Sequence, residues 1–320
     1  MLFAMALVAC SGEDTSTDSE ENESATNYPE QPVEMIVPYS AGGNTDLVAR
    51  AVASHMKEYL GESVNVVNVE GGGGVLGMTE VNNANPDGYK ISMTTNGPLT
   101  IKPHTEATYE YDDFKPVIQI TEVGIGLAVS EDAPYDTYEE WLEWVEDNPG
   151  NFEYGTPGAG LTQHITMEGI QKELDIETKH VPYDSGGDAI TAAVGGHIDG
   201  VFTQMTEIEP FINSGDLKMI FTAGTERDEL VPDAPTLSEL GVEVVGSVWT
   251  GVVVPKETPD EIVEILHDSF KSVLEDEDFI EQLNNLGAQV IYQNAEDFGE
   301  IVSNEYKNNG EILEDIGLIE

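Results

Sequence analysis

The sequence predicts an α/β protein of two similar lobes, each a mostly parallel sheet flanked by helices. Three observations predict it. From residue 31 onward, segments of period-two apolar alternation take turns with segments of three-and-four spacing, the signature of strand followed by helix. One strand-to-helix transition recurs in character: Gly126 through Pro134 and Gly251 through Pro259 each run from a glycine through a strand and a turn to a helix start. Between the two copies lies a further complete α/β series, which reads as a second unit inserted inside the first. A chain of 320 residues has material for two such cores.

The elements follow in order. Residues 1–10, MLFAMALVAC, form a short apolar run with small residues before Cys10, a signal peptide with a lipobox. Cys10 is the sole cysteine, which excludes an intramolecular disulfide and assigns it lipidation. Residues 11–30 hold seven acids and no base, so they read as a disordered acidic tether. Val33–Val37 alternates as a strand. A loop at 38–46 leads to a helix on Leu47, Val48, Ala51, Val52, Met56 and Leu60, closed by Gly61. Strands follow at 64–69 and 91–95, then a long β-rich stretch at 117–130 broken by Gly124 and Gly126. Thr137 with Glu140 reads as a capping box, as does Thr258 with Pro259 and Glu261. The inserted series has strands at 152–155, 179–182, 198–203 and 217–223, with helices after the loops at 155–164 and 183–187. This divides the folded body into lobe 1, residues 31–123 and 223–320, and lobe 2, residues 124–222.

Composition excludes several functions. There are 62 acidic residues against 12 Lys and Arg, a formal net charge of −50. A nucleic-acid partner needs a basic surface, which is missing. A direct anionic membrane surface is disfavoured on the same ground, leaving a lipid anchor as the only membrane contact. Carboxylates on this scale suit a salty or alkaline setting, where salt screens their mutual repulsion. Only two arginines are present, Arg50 and Arg227, so anion recognition has to work mostly without guanidinium.

Two loops offer another route. Residues 38–46 and 155–164 each follow a strand, carry glycines and hydroxyl residues, and open a helix. Glycine permits close backbone approach, and the first helical N–H groups are unpaired and at the positive end of the dipole. Such sites hold carboxylate or phosphate without a cation. The competing reading is a tight turn with no ligand. The run Gly71–Gly74 is no phosphate loop, because no Lys precedes Thr79; it reads as a third glycine-rich turn near the same cleft.

Catalysis finds little support. The six histidines make no HExxH pair, and no GxSxG elbow is present. A hydrolase using His164 with a nearby acid is the rival reading, but no nucleophile with an oriented base can be assembled. Trp141 and Trp144 read as packing, and Trp249 as a candidate for the cleft mouth. No cofactor and no metal site are implied.

An ordered set of motifs adds a resemblance. It comprises the lipobox and tether, Tyr28-Pro29 with Pro32, Val37-Pro38-Tyr39 with Gly42 through Asp46, and Asn85 through Tyr89. Asn96-Gly97, Gly155-Thr156 with Gly158, Gly160 and His164, His180 through Tyr183, and Pro232 through Thr236 complete it. From residue 28 to the C-terminus the chain resembles the substrate-binding proteins of tripartite tricarboxylate transporters, the TctC or Bug family. That resemblance implies a two-lobed periplasmic-binding-protein-like fold of type II, with ligand in the interlobe cleft. It implies a monomeric, lipid-anchored receptor outside the cytoplasm, passing a small organic acid to the membrane subunits of a tripartite tricarboxylate transporter. A sensory receptor presenting the carboxylate to a membrane protein is the alternative. The ligand-binding residues expected are Tyr39, Ser40, Gly42, Gly43, Asn44, Thr45, Asp46 and Asn96 in lobe 1. In lobe 2 they are Thr156, Gly158, Gly160, Thr162, His164, Tyr183, Thr203 and Gln204. Ala41, Leu161 and Asp184 depart from the family pattern, where Pro, Ser or Thr, and Lys are common. The last two changes argue against the trianion citrate and for a less charged or more apolar acid.

Overall fold

The computed structural model describes residues 27–319 apart from 225 and 289; the signal peptide, Cys10 and most of the tether lie outside the described residues. The strands are β1 (Val33–Val37), β2 (Val64–Asn68), β3 (Lys90–Thr95), β4 (Phe114–Ser130), β5 (Glu153–Thr156), β6 (Lys179–Pro182), β7 (Gly200–Gln204), β8 (Leu217–Thr222), β9 (Ser247–Pro255) and β10 (Val290–Gln293). The helices are α1 (Asn44–Leu60), α2 (Val75–Asn82), α3 (Tyr138–Asp147), α4 (Thr162–Leu174), α5 (Gly186–Val194), α6 (Met205–Ser214), α7 (Asp260–Leu274), α8 (Glu277–Asn285) and α9 (Ala295–Asp315).

The strand order is β2-β1-β3-β9-β4-β7-β5-β6, with β8 and β10 also paired to β4. The flanks are parallel, as expected: β1 pairs with β2 and β3, and β5 with β6 and β7. The centre is not, because β4 leaves one unit and β9 returns to it, so both run against their neighbours. The sheet is therefore mixed. The 17-residue β4 pairs with β9 up to Gly124 and with β7 from Ile125 onward. One continuous strand thus serves both units, and the two glycines read from sequence stand where its partners change.

Each unit has its own apolar core. In the first, Val48, Val52 and Met56 of α1 pack with Ile262, Leu266 and Phe270 of α7 over the sheet. Full burial of such side chains contributes roughly 1.5–3 kcal/mol each. Gly61 ends α1 in the left-handed region at φ 89°, its N–H bonded to Lys57 O. In the second unit Trp141, Phe152, Tyr154 and Phe221 are buried together. Residues after β8 do not return at once: Val231 and Ala234, and Leu237 and Val242, still pack in cores of the second unit.

Several local expectations need correction. Thr137 does cap α3, accepting from Glu140 N at 3.3 Å, but the Glu140 carboxylate reaches Asp136 N rather than the cap residue. Thr258 does not cap α7; Pro259 is the N-cap and the Thr258 hydroxyl is buried without a partner. Residues 28–30 belong to the body rather than to a loose tether. Tyr28 donates to Gly88 O at 2.7 Å and lies against Tyr89, whose hydroxyl accepts from Glu30 N. An aromatic ring with a buried partner outweighs the local polarity.

Candidate functional site

Where the two units meet, a cavity of about 40 Å³ is enclosed by the starts of four helices. The volume admits only a small ligand. From the first unit come Tyr39 and Ser40 after β1, Gly43, Asn44 and Thr45 at the start of α1, Thr95 at the end of β3, and Asn96 and Gly97 after it. From the second come Leu161, Thr162 and Gln163 at the start of α4, Ser185 and Gly186 at the start of α5, Gln204 at the end of β7 and Glu207 of α6. The N-cap positions Gly43 and Leu161 have no side-chain cap, so the N–H groups of α1 and α4 face the cavity region unpaired by their own caps. Helix α5 is capped by Ser185 Oγ, which accepts from Asp188 N at 3.1 Å.

The first loop is held from behind. Asp46 Oδ2 accepts from Gly42 N at 2.8 Å and from Arg50 Nε at 2.9 Å, while Asn68 Nδ2 donates to Asp46 Oδ1 at 2.9 Å. These contacts hold the Asp46 carboxyl below its usual range even against burial. Asp46 and Gly42 therefore shape the loop and do not line the cavity. Tyr39 shares a 2.7 Å hydrogen bond with Thr95, and burial pushes its phenol up.

The second loop is braced by its own side chains. Thr156 Oγ1 donates to Gly158 O at 3.0 Å and lies 2.7 Å from His180 Nε2. His164 Nδ1 accepts from Gly160 N at 3.0 Å, and its ring stacks on His180 with centroids 3.9 Å apart. Burial, and then the neighbouring His164, push His180 down to about 3. Thr156, Gly158, Gly160 and His164 thus build the loop behind the cavity wall, as do Tyr183 and Thr203 elsewhere in that unit. The exposed Asp184 is also outside the lining, whereas Leu161 is buried within it.

The walls are closed on each other. Asn44 Nδ2 donates to Gln204 Oε1 at 2.7 Å, Thr206 Oγ1 donates to Asn44 Oδ1 at 3.2 Å, and Asn44 N donates to the Glu207 carboxylate. Buried Lys102 of the first unit donates to Ala159 O at 2.7 Å in the second. Ile101, Ile165 and Leu313 form a small apolar cluster across the same junction. Gly73 borders this seam: a Cβ there would stand 2.7 Å from Lys102 Cε, so the glycine run serves close approach.

Sequence reasoning missed Lys102, Ser185, Gly186 and Glu207. The segment Thr203-Gln204 at the end of an apolar strand was a usable signal, with Glu207 one turn beyond it. Trp249 is buried, donating to Glu305 at 2.8 Å and lying edge-on to Phe298; its neighbour Val248 lines the cavity instead.

Comparison with known proteins gives a consistent result. Residues 48–318 match the family model described as tripartite tricarboxylate transporter family receptor. A UPF0065 protein from the gbd 5′ region of Cupriavidus necator is 30% identical over 295 residues, 92% of this chain and 90% of that protein. The periplasmic binding protein BugD superposes with a TM-score of 0.84 at 32% identity, over 91% of this chain and 99% of that one. MatC from Rhodopseudomonas palustris, solved with bound malate, superposes with a TM-score of 0.84 at 28% identity, over 89% of this chain and all of that one (100%).

Proposed function

This chain belongs to the tripartite tricarboxylate transporter receptor family and is a solute-binding receptor, not an enzyme; from that premise we propose that it captures a small organic carboxylate between two lobes and delivers it to the membrane subunits of a tripartite tricarboxylate-type transporter. The lobes are residues 31–123 with 223–320 and residues 124–222, with residues 231–242 resting on the second. The receptor works outside the cytoplasm as a monomer anchored by lipid on Cys10. Among the described residues no helix is long and apolar enough to cross a membrane.

The observation that carries this reading is the convergence of helix N-termini on an interlobe cavity with no Lys, Arg or His in its lining. Unpaired N–H groups and helix dipoles favour an anion there. Ser40, Gly43, Asn44 and Thr45 contact the ligand from one side, Thr162 and Gln204 from the other. Ligand binding favours the closed arrangement through the contacts of Asn44 and Lys102, and β4 with the return segment before β9 carries the hinge. The malate held by MatC supports the ligand class.

Calorimetry against a panel of small carboxylates tests it, with the neutral amide of each hit as control. The amide is expected to bind far more weakly. Gly43→Val provides the structural arm: a Cβ at Gly43 meets only Ser40 O at 3.8 Å and Glu207 Oε1 at 4.0 Å, so the fold accepts the side chain while the cavity is filled. Affinity should fall by on the order of 2 kcal/mol. Unchanged affinity would remove this loop from the site.

A further inference from the structure

Glu305 of α9 does not line the cavity, yet it is linked to a residue that does. Its Oε2 accepts from Trp249 Nε1 at 2.8 Å, and its carboxyl also hydrogen-bonds the Thr100 hydroxyl. Thr100 Oγ1 in turn donates to Asn96 O at 2.8 Å and accepts from Asn309 Nδ2 at 2.9 Å. Asn96 is part of the lining and stands at the entrance to the π-helical turn Gly97–Ile101 that carries Thr100. On its other side Asn96 Nδ2 donates to Ser247 O at 2.9 Å, and Ser247 Oγ donates to Glu122 at 2.6 Å. The cavity residue is thus held between two acids, Glu305 and Glu122.

A hydroxyl has one proton to donate and two lone pairs with which to accept. Asn96 O can only accept, and Asn309 Nδ2 can only donate. With Glu305 protonated every group is satisfied: Glu305 donates to Thr100, and Thr100 donates to Asn96 O. With Glu305 ionised, two acceptors compete for the single Thr100 proton. Either Asn96 O loses this donor or a carboxylate faces a hydroxyl lone pair, and both are costly away from water.

Among the described residues no cation relieves the ionised form. Strand β4 brings the Glu122 carboxylate towards Glu305, β9 brings Trp249, and the turn Gly97–Ile101 brings Thr100. Lys102 beyond that turn is directed to Glu106 and Ala159 O, and His104 to Tyr306 O. Glu110 and Tyr111 meet α9 at Tyr306, and α4 meets it at Leu313 and Asp315. Tyr292 of β10 meets His267 and Lys271 instead. On α9 itself the residues one turn away, Ile301, Val302, Asn308 and Asn309, are uncharged. Burial, with the Glu122 charge added to it, pushes the Glu305 carboxyl up to about 7 against its hydrogen bonds with Trp249 and Thr100.

We propose that Glu305 is a proton switch on ligand capture: protonated, it holds Asn96 in the cavity wall through Thr100; ionised, it draws the Thr100 proton away, adds a negative charge behind the wall and weakens capture. It is a positioning residue and touches no ligand. The proposal rests on the carboxylate reading above and adds its regulation by pH. An anion in the cavity favours the protonated form, so binding takes up a proton and affinity falls as pH rises through neutrality.

Two measurements on the folded receptor test it. In the ligand-free protein the emission of Trp249 reports the ionisation of its carboxyl partner. It is expected to titrate between about pH 6 and 8 in wild type and to stay flat in Glu305→Gln. Glutamine is a fixed mimic of the protonated acid, because its amide donates to Thr100 and accepts from Trp249. In calorimetry malate, ionised throughout the range, is titrated at pH 6.5, 7.5 and 8.5; the tightest member of the carboxylate panel replaces it if malate does not bind. Wild-type affinity should fall about fivefold across the range, within the roughly tenfold per pH unit that one proton allows. Heats in two buffers of different ionisation enthalpy should show proton uptake. Glu305→Gln should bind at every pH as wild type does at pH 6.5. The wild-type titrations stand by themselves if the variant does not fold. A flat wild-type emission trace or a flat wild-type affinity overturns the proposal and leaves the carboxylate reading intact. So does a slope that survives Glu305→Gln, which would put the proton on Glu207, the acid of the lining itself. Failure of every carboxylate to bind folded wild type overturns the carboxylate reading, and the proposal with it.

Discussion

The loops at 38–46 and 155–164 carry the same sequence signature, yet the structure uses them in opposite ways. The first gives its own backbone and hydroxyl groups to the cavity and is held from outside, by Asp46, Arg50 and Asn68. The second spends its polar groups on itself, through Thr156, His164 and His180, and offers the cavity Pro157 and the start of α4. The missing polar contacts of the second unit come instead from α5 and α6, through Ser185, Gly186, Gln204 and Glu207. A glycine-rich strand-to-helix loop therefore predicts where a helix N-terminus points, but not whether the loop's own side chains touch what it points at.

If this division holds, damage at α5 should exceed damage to the second loop. Gly186→Val is the strongest case. Its Cβ would stand 1.9 Å from Glu207 Oε2 and 2.7 Å from the buried Thr203 Oγ1, so the Glu207 carboxylate and its Thr203 partner must both shift and the cavity is remodelled, with circular dichroism to check that the variant folds. Affinity should fall at least about 100-fold, roughly 2.7 kcal/mol. His164→Gln, by contrast, should alter thermal stability with little change in affinity. Titration of both variants with the same ligand decides it; equal losses would erase the distinction between loop and site.

The brace of the second loop gives it an acid sensitivity that the first loop lacks. His180 is pushed down to about 3 in the folded protein, against about 6.5 when unfolded. Its contribution is complete above pH 6.5 and is lost as pH falls from 6.5 towards 3, because protonation then favours the unfolded chain. By pH 5 the loss is on the order of 1 kcal/mol, once solvent screening at this partly exposed ring is discounted. Denaturant melts of wild type and His180→Gln between pH 7.5 and 5 test this. The gap between the two should shift in favour of the variant on acidification; a constant gap would mean His180 titrates alike in the folded and unfolded chain, as an exposed imidazole does.

These asymmetries explain what the sequence could and could not say. The strand–loop–helix units were legible because periodicity and glycine placement are local: Val33–Val37, the helix closed by Gly61 and the glycines of β4 all needed no tertiary knowledge. The interlobe contacts were not. Asn44 and Gln204 are 160 residues apart, and Lys102 and Ala159 are 57 apart. Glu207 was hidden among 62 acidic residues, and only its apposition to Gly186 and Asn44 sets it apart. Trp249 was misplaced for a related reason. Strand alternation alone gives two faces, and the partner that decides between them, Phe298, lies on α9.

The clasp between lobes sharpens the comparison further. Lys102 reaches from the first unit to the backbone of the second loop, and its methylene stem stays packed if the charge is removed. Lys102→Met should therefore weaken ligand binding by roughly 1 kcal/mol, since the lost bond forms across the closed cleft. Scattering of the ligand-free protein should show a larger mean radius. An unchanged affinity and radius would place the closing energy elsewhere, with Asn44 the next candidate.

The smallest effect concerns salt, and it separates local from distant electrostatics. A protein of net charge −50 repels an approaching anion over long range. At physiological ionic strength that repulsion is screened beyond roughly 8–10 Å, and in brine at shorter range still. The contacts proposed inside the cavity are different: they are N–H groups at the starts of α1 and α4, with no lysine or arginine in the lining whose pairing salt could compete away. Added salt should remove the long-range penalty and leave the contacts nearly untouched. From 0.1 M to 1 M salt, affinity for a carboxylate should hold or rise, by less than about threefold. Calorimetry at constant folded fraction reads this directly. A steep fall in affinity would show that a cation supplies the binding energy, and Lys102, the buried ammonium nearest the second loop, would then have to leave Ala159 and enter the site.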